Sequence, residues 1–96
     1  MALHILQVTI GAASTQISTT PKPAKQVIVQ NNASHSCRVG DSTVSSTKGA
    51  LLNASAGAGL GGGTVNAGPF QAYNTNLIEW WINGTQNDVI DVLYWV

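Results

Sequence analysis

Ninety-six residues allow one domain, and a single core of that size buries roughly two thirds of the surface its unfolded chain exposes. Four Lys and Arg offset four Asp and Glu, so the net charge is zero on 8% charged residues, against about 25% in a typical soluble domain. That balance excludes a phosphate-neutralising nucleic-acid binder and an electrostatic membrane tether, and no apolar run reaches the roughly 18 to 20 residues of a spanning helix.

The start, Met1 to Val8, lacks a charged region before its apolar residues, which predicts synthesis in a cytoplasm without a secretory signal. Leu3 to Ile10 alternates, with Leu6, Val8 and Ile10 on one face and Leu3, Ile5, Gln7 and Thr9 on the other. Gly11 to Ser14 breaks this strand, Thr15 to Thr20 reads as a weak polar strand, and Pro21-Lys22-Pro23 forces an extended link. Residues 1–24 are therefore expected to form a strand and extended arm, with the sandwich proper in 25–96.

Lys25 to Gln30 is a strong strand, and the Asn31-Asn32-Ala33-Ser34 stretch predicts a hairpin into Ser36 to Val39. Thr43 to Ser46 and Ala50 to Leu52 read as short strands around Lys48-Gly49, and 53–63 as an Ala- and Gly-rich loop. Thr64 to Tyr73 is a strand interrupted at Gly68-Pro69, and Leu77 to Ile82 is an aromatic strand. Asn83-Gly84 is a hairpin signal, and Asp88 to Val96 is the final strand. No long 3.6-residue apolar stripe interrupts the series, so the fold class is all-β, a single small antiparallel β-sandwich, jelly-roll-like or immunoglobulin-like.

All six aromatics, Phe70, Tyr73, Trp80, Trp81, Tyr94 and Trp95, fall in the final 27 residues. Adjacent strand residues point to opposite faces, so neither Trp80 with Trp81 nor Tyr94 with Trp95 can share one core. One member of each pair needs another burial partner, and the expected protein–protein interface comprises Leu3, Ile5, Trp80, Trp81, Tyr94 and Trp95. The lone Cys37 excludes an internal disulfide, so association is the expected supplement to a small core.

Chemistry-bearing motifs are weak. Gly57-Ala58-Gly59-Leu60-Gly61-Gly62 matches GxGxxG, with Glu79 about 20 residues on, but a β-like run follows it where a dinucleotide site needs a helix. The sequons at Asn32, Asn53 and Asn83 read as turns. His35 and Cys37, near Asp41, would share a strand face roughly 7 Å apart, too far for one to activate the other. His4, His35 and Cys37 lack metal-ligand spacing, and Asp88 and Asp91 fall on opposite faces. No catalytic residue, cofactor or metal is expected, and the protein is not expected to be an enzyme.

Val27-Ile28-Val29-Gln30-Asn31-Asn32, then Val39-Gly40-Asp41-Ser42-Thr43-Val44-Ser45-Ser46-Thr47-Lys48-Gly49-Ala50-Leu51-Leu52 and the closing Asp88 to Tyr94, resemble small structural proteins of tailed-bacteriophage virions. The resemblance implies a non-enzymatic capsid decoration, or cement, protein in the virion, made in the host cytoplasm. Its implied partners are the major capsid protein and itself, as a homotrimer, with the head stabilised by the contact. A tail, neck or fibre component is the alternative, as is a receptor-recognition module that binds host glycan. The Ala54 to Gly63 loop and the doubled Trp80-Trp81 depart from the pattern.

Overall fold

The computed structural model describes residues 2–53 and 70–96. Eight strands run β1 (Leu3–Thr9), β2 (Thr15–Gln16), β3 (Pro23–Gln30), β4 (Cys37–Gly40), β5 (Ala50–Leu52), β6 (Phe70–Asn76), β7 (Trp81–Asn83) and β8 (Val89–Trp95). They form two antiparallel four-stranded sheets, β1-β8-β3-β6 and β2-β7-β4-β5. Four pairings join strands whose ordinals sum to nine: β1 with β8, β2 with β7, β3 with β6 and β4 with β5. The chain is thus a long ribbon folded at β4–β5 and rolled into two layers, with β3–β8 and β4–β7 as the seams. That is jelly-roll order, and it separates the two sandwich types that the sequence left open.

The layers meet over β-branched side chains that a pleated surface packs well. Val8, Ile10, Val27, Val29, Ile90, Val92 and Tyr94 face inward from the first sheet and its flanks, and Cys37, Val39, Leu52 and Ile82 from the second. Each such aliphatic side chain contributes on the order of 1.5–3 kcal/mol on burial.

Rolling the ribbon sends most consecutive strands to opposite layers, which corrects several expectations. The link from Lys25–Gln30 to Cys37–Gly40 is an arch between sheets, where a hairpin was predicted. Buried Asn31 pins it: Nδ2 donates to the carbonyls of His35 (2.9 Å), Leu52 (3.1 Å) and Asn53 (3.3 Å), and Oδ1 accepts from Ala33 N. Asn83-Gly84 likewise crosses between layers, with the turn at Thr85 to Asp88, where Asn87 takes φ 77°. Leu77 to Ile82 is not one strand. Asn76 Oδ1 accepts from Ile78 N (3.2 Å) and Lys22 N (2.8 Å) and starts a 3-10 turn, Leu77–Glu79, that carries the chain from β6 to β7 in the other layer. Thr43 to Ser46 contributes one isolated bridge, Ser45 to Lys48, within the β4–β5 connection.

Residues 1–24 are not a separate arm. Leu3–Thr9 pairs along its full length with Val89–Trp95, Val8, Ile10 and Ile17 are core residues, and Thr15–Gln16 lies beside Trp81–Ile82. Of the predicted strand Thr64 to Tyr73, the described part begins at Phe70, and the Ala- and Gly-rich loop beyond Asn53 lies outside the described residues.

Candidate interaction surface

Strand pairing lines up the outward side chains of the first sheet in rows. Leu3, Trp95, Gln26 and Tyr73 lie side by side across β1, β8, β3 and β6, and Ile5, Leu93, Ile28 and Gln71 form the next row. Gln7, Asp91 and Gln30 follow, then Thr9 beside Val89. With strands about 4.8 Å apart and same-face residues about 6.8 Å apart, the two apolar rows span a strip roughly 14 Å wide. Ile5 is 69% exposed, Tyr73 62%, Leu3 51% and Val89 39%, while Ile28, Leu93 and Trp95 are half-buried against one another.

The strip is almost free of charge. Asp91 sits at its margin, accepting from Gln7 Nε2 (2.9 Å) and Asn32 Nδ2 (2.7 Å), so two neutral amides spread its charge. Lys25 stands beyond the other end, near Ala24, Thr75 and Val96. Leu3, Trp95, Ile5, Leu93 and Ile28 adjoin, Gln26 stands between Trp95 and Tyr73, and Gln71 ends the second row, so the face is largely apolar with amides inside it and is a candidate contact site.

The six residues expected at an interface divide between three environments. Leu3, Ile5 and Trp95 share the apolar strip. Tyr94 turns inward, is 9% exposed and stacks on His4 with ring centroids 5.1 Å apart and planes at 20°. Trp80 packs against the core edge-on to Phe70 at 5.4 Å, and its Nε1 donates to Thr75 Oγ1 (2.9 Å). Trp81 stays half-buried on the outside of the second sheet, opposite Gln16 and Gly40. Each aromatic pair is split between faces, as period-two geometry requires, but the two outward members lie on different sheets.

Ile28, Leu93 and Tyr73 complete the strip and were missed in the sequence. Leu93 was recoverable, since it lies two residues before Trp95 and shares its parity. Ile28 stands between Gln26 and Gln30 on the face of β3 opposite Val27 and Val29, so its own neighbours give no apolar signal, and nothing local to Tyr73 indicates that β6 is the outermost strand.

The second sheet carries a shallow groove of about 300 Å³ lined by Ser36, Arg38, Ser46, Leu51, Asn83 and Thr85, among others. Arg38 is held at its wall, with Nε donating to Ser46 O (3.1 Å) and Nη1 to Gly49 O (2.9 Å).

The titratable groups assemble no reactive pair among the described residues. His35 Nδ1 meets Asp88 Oδ2 at 2.9 Å rather than Cys37. The Cys37 thiol is buried, and burial first, then the nearby Asp88 carboxylate, pushes its pKa up to about 11, the reverse of what a thiolate nucleophile needs. Asp41 is pulled below the usual carboxylate range, chiefly by the side-chain and backbone hydrogen bonds of Thr43, and serves its own turn. No three His, Cys, Asp or Glu among the described residues come together as a metal site. Gly57 to Gly62 lies outside the described residues. No family model, curated protein or solved structure matches the chain.

Proposed function

We propose that this chain is a non-enzymatic structural protein of a tailed-phage virion, a decoration protein that binds the major capsid protein and stiffens the head. The observation that carries the associative part of the reading is the apolar strip of Leu3, Ile5, Ile28, Tyr73, Leu93 and Trp95 on one open sheet face. Laid against a shell, the strip gains apolar burial at about 25 cal/mol per Å² while few charges need desolvating. The virion part rests on the sequence resemblance over Val27 to Leu52 and Asp88 to Tyr94, segments that form β3, β4, β5 and β8. Jelly rolls serve viral shells and also lectins, so the fold is compatible with this reading by analogy alone.

Mixing the purified protein with expanded phage shells, pelleting them and measuring the bound chain tests the proposal. Saturable, lattice-stoichiometric binding that raises the shells' melting temperature supports it, and no association at micromolar concentration overturns it.

The groove on the second sheet favours one other reading. Its Ser36, Arg38, Asn83 and Thr85, with Trp81 on the same face, offer hydrogen bonds and a stacking ring to a host glycan. Quenching of tryptophan fluorescence by host polysaccharide, lost in Trp81→Ala, would decide for a receptor-recognition module.

A further inference from the structure

We infer that β1 is a self-pairing edge: it joins antiparallel to β1 of a second copy across a two-fold axis, merging two four-stranded sheets into one eight-stranded sheet. The inference rests on reading the chain as an assembling protein and specifies how its copies meet.

The backbone bonds fix which groups β1 leaves free. Ala2 and Val96 exchange both of their bonds (Ala2 N to Val96 O 3.4 Å, Val96 N to Ala2 O 3.0 Å), and Ile10 N donates to Asp88 O (2.8 Å). In an antiparallel ladder such pairs recur at every second residue, so His4, Leu6 and Val8 also turn their N–H and C=O groups toward β8. Leu3, Ile5, Gln7 and Thr9 therefore present theirs to the open edge, where no strand pairs with them among the described residues.

Among the described residues the sandwich has four edges, and three of them are blunted. β2 is two residues long and β5 three. β6 is kinked at Asn74, φ 51°, where its pairing with β3 steps from Ala24–Thr75 to Gln26–Tyr73 over Lys25. β1 has seven regular residues with no Pro, Lys, Asp, Glu or bulge, so none of the usual devices against edge pairing protects it.

A ring of copies closed by edge pairing needs two complementary long edges on each protomer, and this chain offers one among the described residues. An isologous pair needs only one. The geometry thus favours a two-fold dimer over the trimer that the resemblance implies. The register that uses every free group sets Leu3 opposite Thr9 of the second copy and Ile5 opposite its Gln7, with Leu6 on the axis, for roughly eight new backbone hydrogen bonds. The two apolar strips then lie on one continuous twisted sheet and on the same side of it, so the dimer doubles the apolar area offered on that side.

The test is Gln7→Pro. The Gln7 N–H faces the free edge, so proline there removes an edge donor and keeps the β8 ladder, the setting in which strands tolerate it. Gln7→Ala is the control, since it loses the same side-chain bond to Asp91 and keeps the N–H. Native mass measurement at micromolar concentration is expected to give dimers for wild type and Gln7→Ala, and monomers for Gln7→Pro with unchanged circular dichroism. Leu6→Cys is expected to form an intermolecular disulfide on mild oxidation, because residues on the axis of a non-hydrogen-bonded pair approach to about 4.5 Å between Cα atoms. A monomeric wild type, a Gln7→Pro oligomer of unchanged mass, or no Leu6→Cys cross-link overturns the pairing. Shell binding read on the same samples stays separate: wild type that binds shells as a monomer sinks the edge pairing alone, and a dimer that ignores shells sinks the decoration reading alone.

Discussion

Gly84 shows how tightly the rolled ribbon closes. A Cβ placed there would lie 2.8 Å from Cys37 Cβ and 2.9 Å from Ile10 Cδ1, inside the distance that real side chains keep. Gly84→Ala is therefore expected to cost roughly 1–3 kcal/mol by overpacking, read as a lower urea midpoint at constant slope. An unchanged midpoint would mean that the crossing between layers is looser than the geometry states. Cys37, its neighbour, sets an alkaline limit. The folded state holds the thiol proton to about pH 11 while the unfolded thiol releases it near its ordinary value of 9.0, so the folded state binds more protons between these values. Stability is fully present below about pH 9 and falls as pH rises through that window. Cys37→Ala should flatten the decline measured by urea titration from pH 8 to 11, and the native thiol should resist a disulfide reagent at pH 8. Rapid native labelling would contradict the burial.

Among elements, the connections decide the topology. Asn31 satisfies three carbonyls where β3 leaves one layer and β4 and β5 form the other, so Asn31→Ala strands buried acceptors and should cost on the order of 2 kcal/mol. Asn31→Ser that recovers full stability would show the bonds to be dispensable. At this level the sequence was only partly legible. The positions of β1, β3, β4, β5 and β8 follow from alternation of apolar residues, because each presents one face to the core. Their pairing does not. Asn31-Asn32 and Asn83-Gly84 have turn chemistry, and turn chemistry is the same whether the chain returns beside itself or crosses to the facing sheet. Leu77 to Glu79 reads as strand because Leu, Ile and Trp suit one; the cap from Ile78 N to Asn76 Oδ1 is local, but the same oxygen also accepts from Lys22 N, 54 residues earlier in the chain, a contact that no local pattern shows.

For the whole molecule, the ribbon topology joins the chain's two ends. β1 pairs with β8 over seven residues, and Val8, Ile10 and Ile17 complete the core. A chain lacking residues 1–24 loses an edge of both sheets and is expected to be unfolded by circular dichroism, with no cooperative thermal transition. A cooperative transition in that truncation would restore the partly separate arm that the Pro21-Lys22-Pro23 link suggested. The candidate surface is also a property of the whole. Leu3, Ile5 and Trp95 were readable as residues of unmatched parity, but their union with Ile28 and Tyr73 exists only once β8 is inserted between β1 and β3. Zero net charge, which the sequence offers as an exclusion, here becomes a surface with almost nothing to desolvate along the strip.

Shell binding by Ile5→Glu/Leu93→Glu tests the proposal that this strip seats the protein on a phage shell. Both side chains point outward, but Leu93 is half-buried and directly opposite Ile5, so the double variant is expected to lose roughly 1–3 kcal/mol of stability while keeping a cooperative thermal transition below which binding is read. Bound protein per shell is expected to fall at least about tenfold, the equivalent of roughly 1.4 kcal/mol, while Arg38→Ala in the groove of the opposite sheet is expected to bind as wild type. Undiminished binding by the folded double variant, or loss of binding in Arg38→Ala alone, would contradict the proposal.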